Sequence, residues 1–320
     1  MTAPVAPPAA VAAAHATARL DTPDSLSAFV AAHDNFLLDC DGVLWAGSGA
    51  LPGESASTGA VETLDALRAA GKRVLFITNN SSKSRRQYAA KFAAFGVSVD
   101  PNDIVTSGSA MANYLKMEGI TYAYVIGEDG LIEELELAGV TCIRDAKGAG
   151  PLMSESEFMA LELDPKVQAV CVGWDRSFGF RQMSIASAYL QQGVGFIGAN
   201  PDNADRVGPL LFPGTGPLLA AIQSASGAVP VIIGKPNPIL IKGILAQFGM
   251  DQARTAMVGD RLDTDMAFAN AGGISSVLVM TGVSTDADLA ALSAERAHMA
   301  PAFVMAALAS LRPALTALPN

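Results

Sequence analysis

From Asp21 onward, short apolar runs alternate with longer stretches of helical spacing, and glycine or polar residues punctuate the boundaries. This rhythm predicts βαβ units on a parallel sheet, an α/β fold. In one unit Val61, Leu64 and Leu67 share a helix face, Gly71 stops the helix, and Arg73 to Ile77 follows as a buried strand. In a second, Ala256 to Val258 reads as a strand and Met266 to Asn270 as a helix, with Gly272 and Gly273 as the break before a strand from Ser276 to Met280.

The middle of the chain repeats the rhythm. Strands are expected at Tyr122 to Ile126, Gln168 to Val172 and Phe196-Ile197, and helices at Leu131 to Leu137, Gln182 to Gln192 and Pro217 to Ser224. A chain of 320 residues exceeds the usual size of one core. The expected architecture is therefore a doubly wound, Rossmann-like parallel-sheet core formed by residues 21–109 and 233–320, with an α/β cap domain, residues 110–232, inserted between its halves. Residues 1–20, rich in Ala and Pro, read as a disordered tail or the remnant of a targeting segment.

Composition narrows the function classes. Half the residues are hydrophobic, yet no apolar run reaches the roughly 18 to 20 residues of a membrane span, so none is expected. A formal net charge of −10 without any Lys or Arg block argues against nucleic acid and anionic membranes as partners. Cys40, Cys142 and Cys171 lie too far apart in sequence for a disulfide framework or a zinc pair, which suits a reducing compartment, the cytoplasm or a plastid stroma. None of the three histidines, His15, His33 and His298, ends a candidate strand, leaving carboxylates and lysine for acid–base chemistry.

Four candidate strands do end in polar residues of one chemical theme. Asn35 to Leu38 runs into Asp39-Cys40-Asp41-Gly42, Val74 to Ile77 into Thr78-Asn79-Asn80-Ser81, Val231 to Ile233 into Gly234-Lys235-Pro236, and Ala256 to Val258 into Gly259-Asp260. Open parallel sheets bind ligands beyond the carboxyl ends of their strands, so the clusters are expected to converge. Their oxygen donors suit Mg²⁺, with Asp39, Asp260 and the backbone carbonyl of Asp41 as ligands. Asp39 can attack phosphorus as a nucleophile, and Lys235 can balance the charge. Thr78, with Asn79 and Asn80 beside it, can hold the phosphoryl oxygens. Asp41, two residues on and followed by a glycine, can protonate the leaving group and deprotonate water. Asp265 is expected to support Lys235 and metal-bound water from behind, whereas Asp263 reads equally well as a helix cap.

Each motif has an ordinary structural explanation as a turn or cap, and only their joint order at strand ends makes that explanation weak. Trp45 and Trp174 read as packing and Cys40 as buried. Arg176 and Arg206 read as surface residues that could pair with a substrate carboxylate if they face the cleft.

Together the clusters resemble the motifs of the haloacid dehalogenase superfamily, over nearly all the chain after the tail. Glu62 to Ser84 and the segments VGWDRSF, PGTGP, GKPNP and MVGDRLDTD are similar to its branch with a large α/β cap, which includes phosphoglycolate, pyridoxal and 4-nitrophenyl phosphatases and NagD-type nucleotidases. The resemblance implies Asp39 as nucleophile, Asp41 as acid–base, Thr78 and Asn79 in the phosphate motif, Lys235 as charge-neutralising lysine and Asp260 as magnesium ligand. It also implies a small phosphorylated metabolite as substrate and a homodimer contact through the cap. The loop Gly198 to Gly208 lacks the histidine of pyridoxal phosphatases, and its Asp202-Asn203 resembles the phosphoglycolate phosphatases, making 2-phosphoglycolate the expected substrate. Pyridoxal phosphate, nucleotides and 4-nitrophenyl phosphate are the alternatives on the same machinery. A non-catalytic scaffold or a dehalogenase fits less well, since the charged residues are all in place.

Overall fold

The computed structural model describes residues 17–45, 59–145, 154–207 and 210–318. Its larger sheet has seven parallel strands in the order Ala18–Arg19, Phe303–Met305, Ser275–Val279, Thr255–Gly259, Asn35–Leu38, Arg73–Thr78, Ile104–Thr106. Strand Asn35–Leu38 lies inside the sheet. The chain winds from it to one edge through Arg73–Thr78 and Ile104–Thr106, and later to the other from Thr255–Gly259 outward. That reversal is a topological switch point, and the crevice above it is where an open α/β sheet takes a ligand.

Side chains alternate between the two faces of this sheet. Phe36, Leu38, Val74, Phe76, Ala256 and Val258 face one core, under the helices Pro23–Ala32 and Ala60–Ala69. Leu37, Leu75, Ile77 and Met257 face the other, under Pro238–Phe248 and Ala267–Gly272. Burial on both faces explains why these strands read as continuous apolar runs. Each fully buried Leu or Phe contributes roughly 1.5–3 kcal/mol.

The second sheet is also parallel, in the order Val231–Ile232, Gly195–Gly198, Ala169–Val172, Tyr122–Ile126, Thr141–Ile143. It belongs to the inserted cap and carries helices on both faces. Ala123, Val125 and Cys171 pack with helices Ser107–Met117 and Asp129–Leu137, while Tyr124, Val170 and Phe196 pack with Phe180–Gln191 and Thr215–Ser226. An antiparallel hairpin, Ala204–Val207 with Leu210–Pro213, extends from the cap.

One expectation changes. Ala18–Arg19, read as tail, pairs with Phe303–Val304 as an edge strand and leaves Leu20 buried; the preceding residues 1–16 lie outside the described residues. Val231–Ile232, the last residues of the expected cap, pair with Ile197 and Gly198 in the cap sheet, while the polar cluster they lead into reaches the core site. Lys235 therefore enters the site from the cap side of the junction. Among the described residues, no helix is long and apolar enough to cross a membrane.

Candidate active site

Asp39 follows its strand directly, its backbone N–H donating to Val258 O at 2.9 Å, so it sits beside the end of the strand that leads to Asp260. Thr78 ends the neighbouring strand on the other side. Lys235 reaches down between them. Its Nζ donates to Asp39 Oδ1 at 2.6 Å, Asp265 Oδ1 at 2.6 Å and Ile77 O at 3.0 Å, which uses all three ammonium hydrogens. Asp265 Oδ2 accepts from the backbone N–H groups of Asp260 and Arg261 at 3.2 and 3.1 Å, so this side chain fixes the ammonium on one oxygen and the Asp260 turn on the other.

The chain wraps closely around Asp260. Its Oδ2 accepts the Val283 N–H at 2.7 Å, while Oδ1 is buried without a protein hydrogen bond. A Cβ placed at Gly282 would lie 1.9 Å from Asp260 Oδ2 and one at Gly42 2.4 Å from it, so both positions need glycine for the approach. Gly42 also holds a positive φ of 91°, which closes the turn after Asp41.

Asp39, Asp260 and Asp265 each place an oxygen within 4.8 Å of the others, all buried. Burial pushes the Asp39 carboxyl well above the usual carboxylate range, with the Lys235 charge opposing and Asp265, Asp260 and Asp41 adding to it. Burial and Asp265 raise Asp260 to about 7. For Lys235 burial works against the charge, but Asp265 and Asp39 outweigh it and hold the ammonium above the ordinary lysine value. Three buried carboxylates around one ammonium leave an excess of negative charge. An oxygen-only donor set with an orphaned carboxylate oxygen fits a divalent cation, Mg²⁺ in particular. Asp39 and Asp260 are the side chains placed to hold it, because both Asp265 oxygens are engaged.

The remaining expected residues differ in what they touch. Thr78 is buried, its Oγ1 3.3 Å from the Tyr88 hydroxyl and accepting the Asn80 N–H at 3.1 Å. Asn80 Oδ1 accepts from the Ser82 backbone and hydroxyl, both at 2.8 Å. Asn79 makes contacts within the protein that the sequence did not suggest. Its Nδ2 donates to Asp202 Oδ1 and to Lys235 O, each at 3.0 Å, and its Oδ1 accepts the Lys235 N–H at 2.8 Å. Its carbonyl accepts from Ser107 Oγ at 2.5 Å and Asn200 Nδ2 at 2.7 Å. Asn79 thus ties together both places where the chain passes between core and cap. Asp263 lies outside the cluster and pairs with Arg261 at 3.1 Å.

Of the arginines, Arg176 is exposed and pairs with Glu128 at 2.6 Å, and the Arg206 side chain lies outside the described residues. Trp174 donates from its backbone to Ser81 Oγ at 2.9 Å and from its indole to Pro213 O at 2.9 Å. Cys40 is buried, as read. Trp45 is buried too, but it also donates its indole N–H to Asp41 Oδ1 at 2.6 Å, a contact its reading as packing missed. The four-residue spacing from Asp41 was the available signal. Gly282, Tyr88 and Lys91 carried none, because a lone glycine after a strand and polar residues on a helix are ordinary.

A haloacid dehalogenase-like hydrolase profile matches residues 36–141, and a HAD-hydrolase-like profile matches residues 232–311, on either side of most of the cap. The chain is 38% identical over 266 residues to phosphoglycolate phosphatase 2 of Arabidopsis thaliana, covering 80% of this chain and 85% of that protein. It is 38% identical over 305 residues to glycerol-3-phosphate phosphatase of Homo sapiens, covering 90% and 92%. It superposes with a TM-score of 0.74 and 28% identity on the crystal structure of a glycerol phosphate phosphatase from Mycobacterium tuberculosis in complex with magnesium, over 88% of this chain and 77% of that one. Carboxylate cluster, bridging lysine, switch-point crevice and these similarities agree: the chain belongs to the haloacid dehalogenase-like hydrolases, as a magnesium-dependent phosphoric monoester hydrolase of the branch with a large α/β cap.

Proposed function

We propose that this enzyme hydrolyses 2-phosphoglycolate to glycolate through an aspartyl-phosphate on Asp39. The observation that carries the mechanism is the Lys235 ammonium held at 2.6 Å from both Asp39 and Asp265, beside the orphaned oxygen of Asp260. A carboxylate attacking a phosphate dianion meets charge repulsion, and a fixed ammonium lowers that barrier without reorganising. Asp39 attacks phosphorus and the ester oxygen leaves with a proton from Asp41. Asp41 then takes a proton from water, whose oxygen attacks phosphorus and breaks the bond to Asp39, releasing inorganic phosphate and regenerating the carboxylate. Thr78, steadied by Tyr88, faces the phosphoryl oxygens with the backbone N–H groups around it. Asp39, Asp260 and the Asp41 carbonyl would hold magnesium, which would supply further positive charge at the phosphoryl oxygens.

Support for 2-phosphoglycolate comes from Asp202-Asn203 in the cap loop, which Asn79 anchors over the site, and from the similarity to a phosphoglycolate phosphatase. Glycerol 3-phosphate is a second reading, because similarity to a glycerol-3-phosphate phosphatase is equally high. Steady-state kinetics with Mg²⁺ on 2-phosphoglycolate, glycerol 3-phosphate, pyridoxal phosphate, UMP and p-nitrophenyl phosphate distinguish them. The highest kcat/KM is expected for 2-phosphoglycolate, and a higher value for glycerol 3-phosphate replaces the substrate while leaving the reaction intact.

The cap also supports a homodimer. Its hairpin exposes Leu210 and Leu211 at 71% and 68%, together with Phe212, apolar surface that a second copy would cover, and light scattering of the purified protein is expected to return the mass of a dimer. The net charge of −10 supports the absence of nucleic-acid partners, and the free thiols of Cys40, Cys142 and Cys171 support a reducing compartment.

A further inference from the structure

Asp41 stands on the turn after the central strand, and its side chain keeps 25% of its exposure. A general acid in such a place needs something to hold its carboxyl in one orientation, because a misplaced proton donor loses most of its effect. Two groups converge on a single oxygen. The Trp45 indole N–H donates to Oδ1 at 2.6 Å, and the Lys91 ammonium lies 3.7 Å from the same atom.

Both groups are themselves fixed. Trp45 is 1% exposed, stacked on Phe95 with ring centroids 5.4 Å apart and edge-on to Phe92 at 5.1 Å. Its carbonyl accepts the Gly42 N–H at 2.8 Å, which closes the turn carrying Asp41. The Lys91 side chain is 12% exposed, with Nζ 4.0 Å from the centroid of the Trp45 ring. Lys91 sits on helix Arg85–Ala94, one turn beyond Tyr88, whose hydroxyl meets Thr78. One helix face therefore braces both the phosphate-side hydroxyl and the acid–base carboxylate.

A buried indole N–H needs some acceptor, and a lysine over an aromatic ring can be packing alone. Packing does not require both to aim at the oxygen of one carboxylate. We infer that Trp45 and Lys91 are positioning residues that anchor Asp41 through Oδ1, leaving Oδ2 to carry the proton to the leaving group. The inference rests on the acid–base reading of Asp41 given above.

The leaving group provides the test. Nitrophenolate departs without protonation, whereas an alkoxide needs the proton, and kcat/KM reports the steps up to its departure. Full-length enzyme with Mg²⁺ is assayed on p-nitrophenyl phosphate and on the better alkyl phosphate of the panel, comparing wild type with Trp45→Phe, Lys91→Met, Lys91→Arg and Asp41→Asn. Loss of positioning is expected to lower kcat/KM for the alkyl ester roughly 10-fold or more beyond any loss on the aryl ester, inside the 10²–10⁴-fold that a placed acid–base group contributes. Lys91→Arg is expected to recover most of the difference. Equal losses on both esters, or none, in Lys91→Met overturn the inference, and this variant decides the matter if Trp45→Phe does not fold. If Asp41→Asn is itself insensitive to the leaving group, the acid–base reading fails and the inference with it. If Asp41→Asn is sensitive and the others are not, only the inference fails.

Discussion

The core and the cap are built alike, as parallel sheets with helices on both faces, yet their carboxyl edges are opposite in character. The core edge concentrates side chains: Asp39, Thr78 and Asp260 end three adjacent strands, all buried. The cap edge facing it removes them. A Cβ at Gly173 would lie 2.8 Å from Ser81 Oγ, one at Gly234 2.6 Å from Asn79 Oδ1, and one at Gly130 2.4 Å from Ser82 O and the Lys83 backbone. The same fold thus provides a charged floor and a close-fitting roof, and Lys235 carries its ammonium from the roof side down into the floor. Chemistry resides in which side chains occupy an edge, and enclosure in which are missing.

The largest effect should come from the floor. Asp39→Asn is expected to lower kcat on the order of 10⁴-fold or more, as loss of a nucleophile does, while the thermal transition persists because Asp265 and Ile77 still hold the ammonium. Stopped turnover in a folded protein, without phosphate on the protein by intact mass, is the measurement. Substantial residual turnover would move the nucleophile elsewhere. Gly282→Ala attacks the same floor indirectly, since the new methyl must displace the Asp260 carboxylate from its place. Magnesium activation curves are expected to shift 10–100-fold toward higher concentration, the range that loss of ligand support produces. An unchanged curve would remove Asp260 from the metal site.

Gly130→Ala tests the roof. The backbone of Ser82 and Lys83 cannot yield as a flexible side chain would, so the cap must shift by a few tenths of an ångström or more. The expected cost is about 1–3 kcal/mol of stability, as for overpacking elsewhere, together with a several-fold rise in KM and an unaltered magnesium curve. A shifted magnesium curve here would show that roof and floor are not separable.

Much of the floor was legible in the sequence. Asp39, Thr78 and Asp260 stand where an apolar run meets a polar cluster, and burial on both faces makes those runs conspicuous. The roof was not, because its design consists of absent side chains, and glycines after strands look like any turn. The partners of Asn79 at the junction of core and cap could not be foreseen, since an amide fits a phosphate and a linker carbonyl equally well. Two residues carry no information about which sheet they join, so a strand as short as Val231–Ile232 could be read for its polar end but not for its partners. Ala18–Arg19 disappeared into an alanine-rich stretch for the same reason. Trp45 was rightly placed in the core, but periodicity says nothing about where an indole N–H points.

The smallest predicted effect lies at the opposite end of the core sheet, and it separates stability from chemistry. His33 precedes the central strand and is 5% exposed, with Nδ1 2.8 Å from Phe29 O and Nε2 2.8 Å from Ser275 Oγ. The neutral ring satisfies both contacts, with Nδ1–H donating to the carbonyl and Nε2 accepting from the hydroxyl. Burial lowers its pKa from 6.5, the Phe29 carbonyl opposes, and the charges of Arg254 and Lys72 lower it further. The unfolded chain therefore takes up this proton first as pH falls. The contribution to stability is complete above 6.5 and is lost as pH drops toward and through the lower folded value. His33→Gln should flatten the acid side of the plot of thermal midpoint against pH, leaving kcat/KM at neutral pH within about twofold, since changes remote from a site act nearly independently of it. An acid limb of the same slope in both proteins would assign the loss of stability to carboxylates that ion pairs hold low, such as Asp34 beside Arg254, and would remove His33 from it.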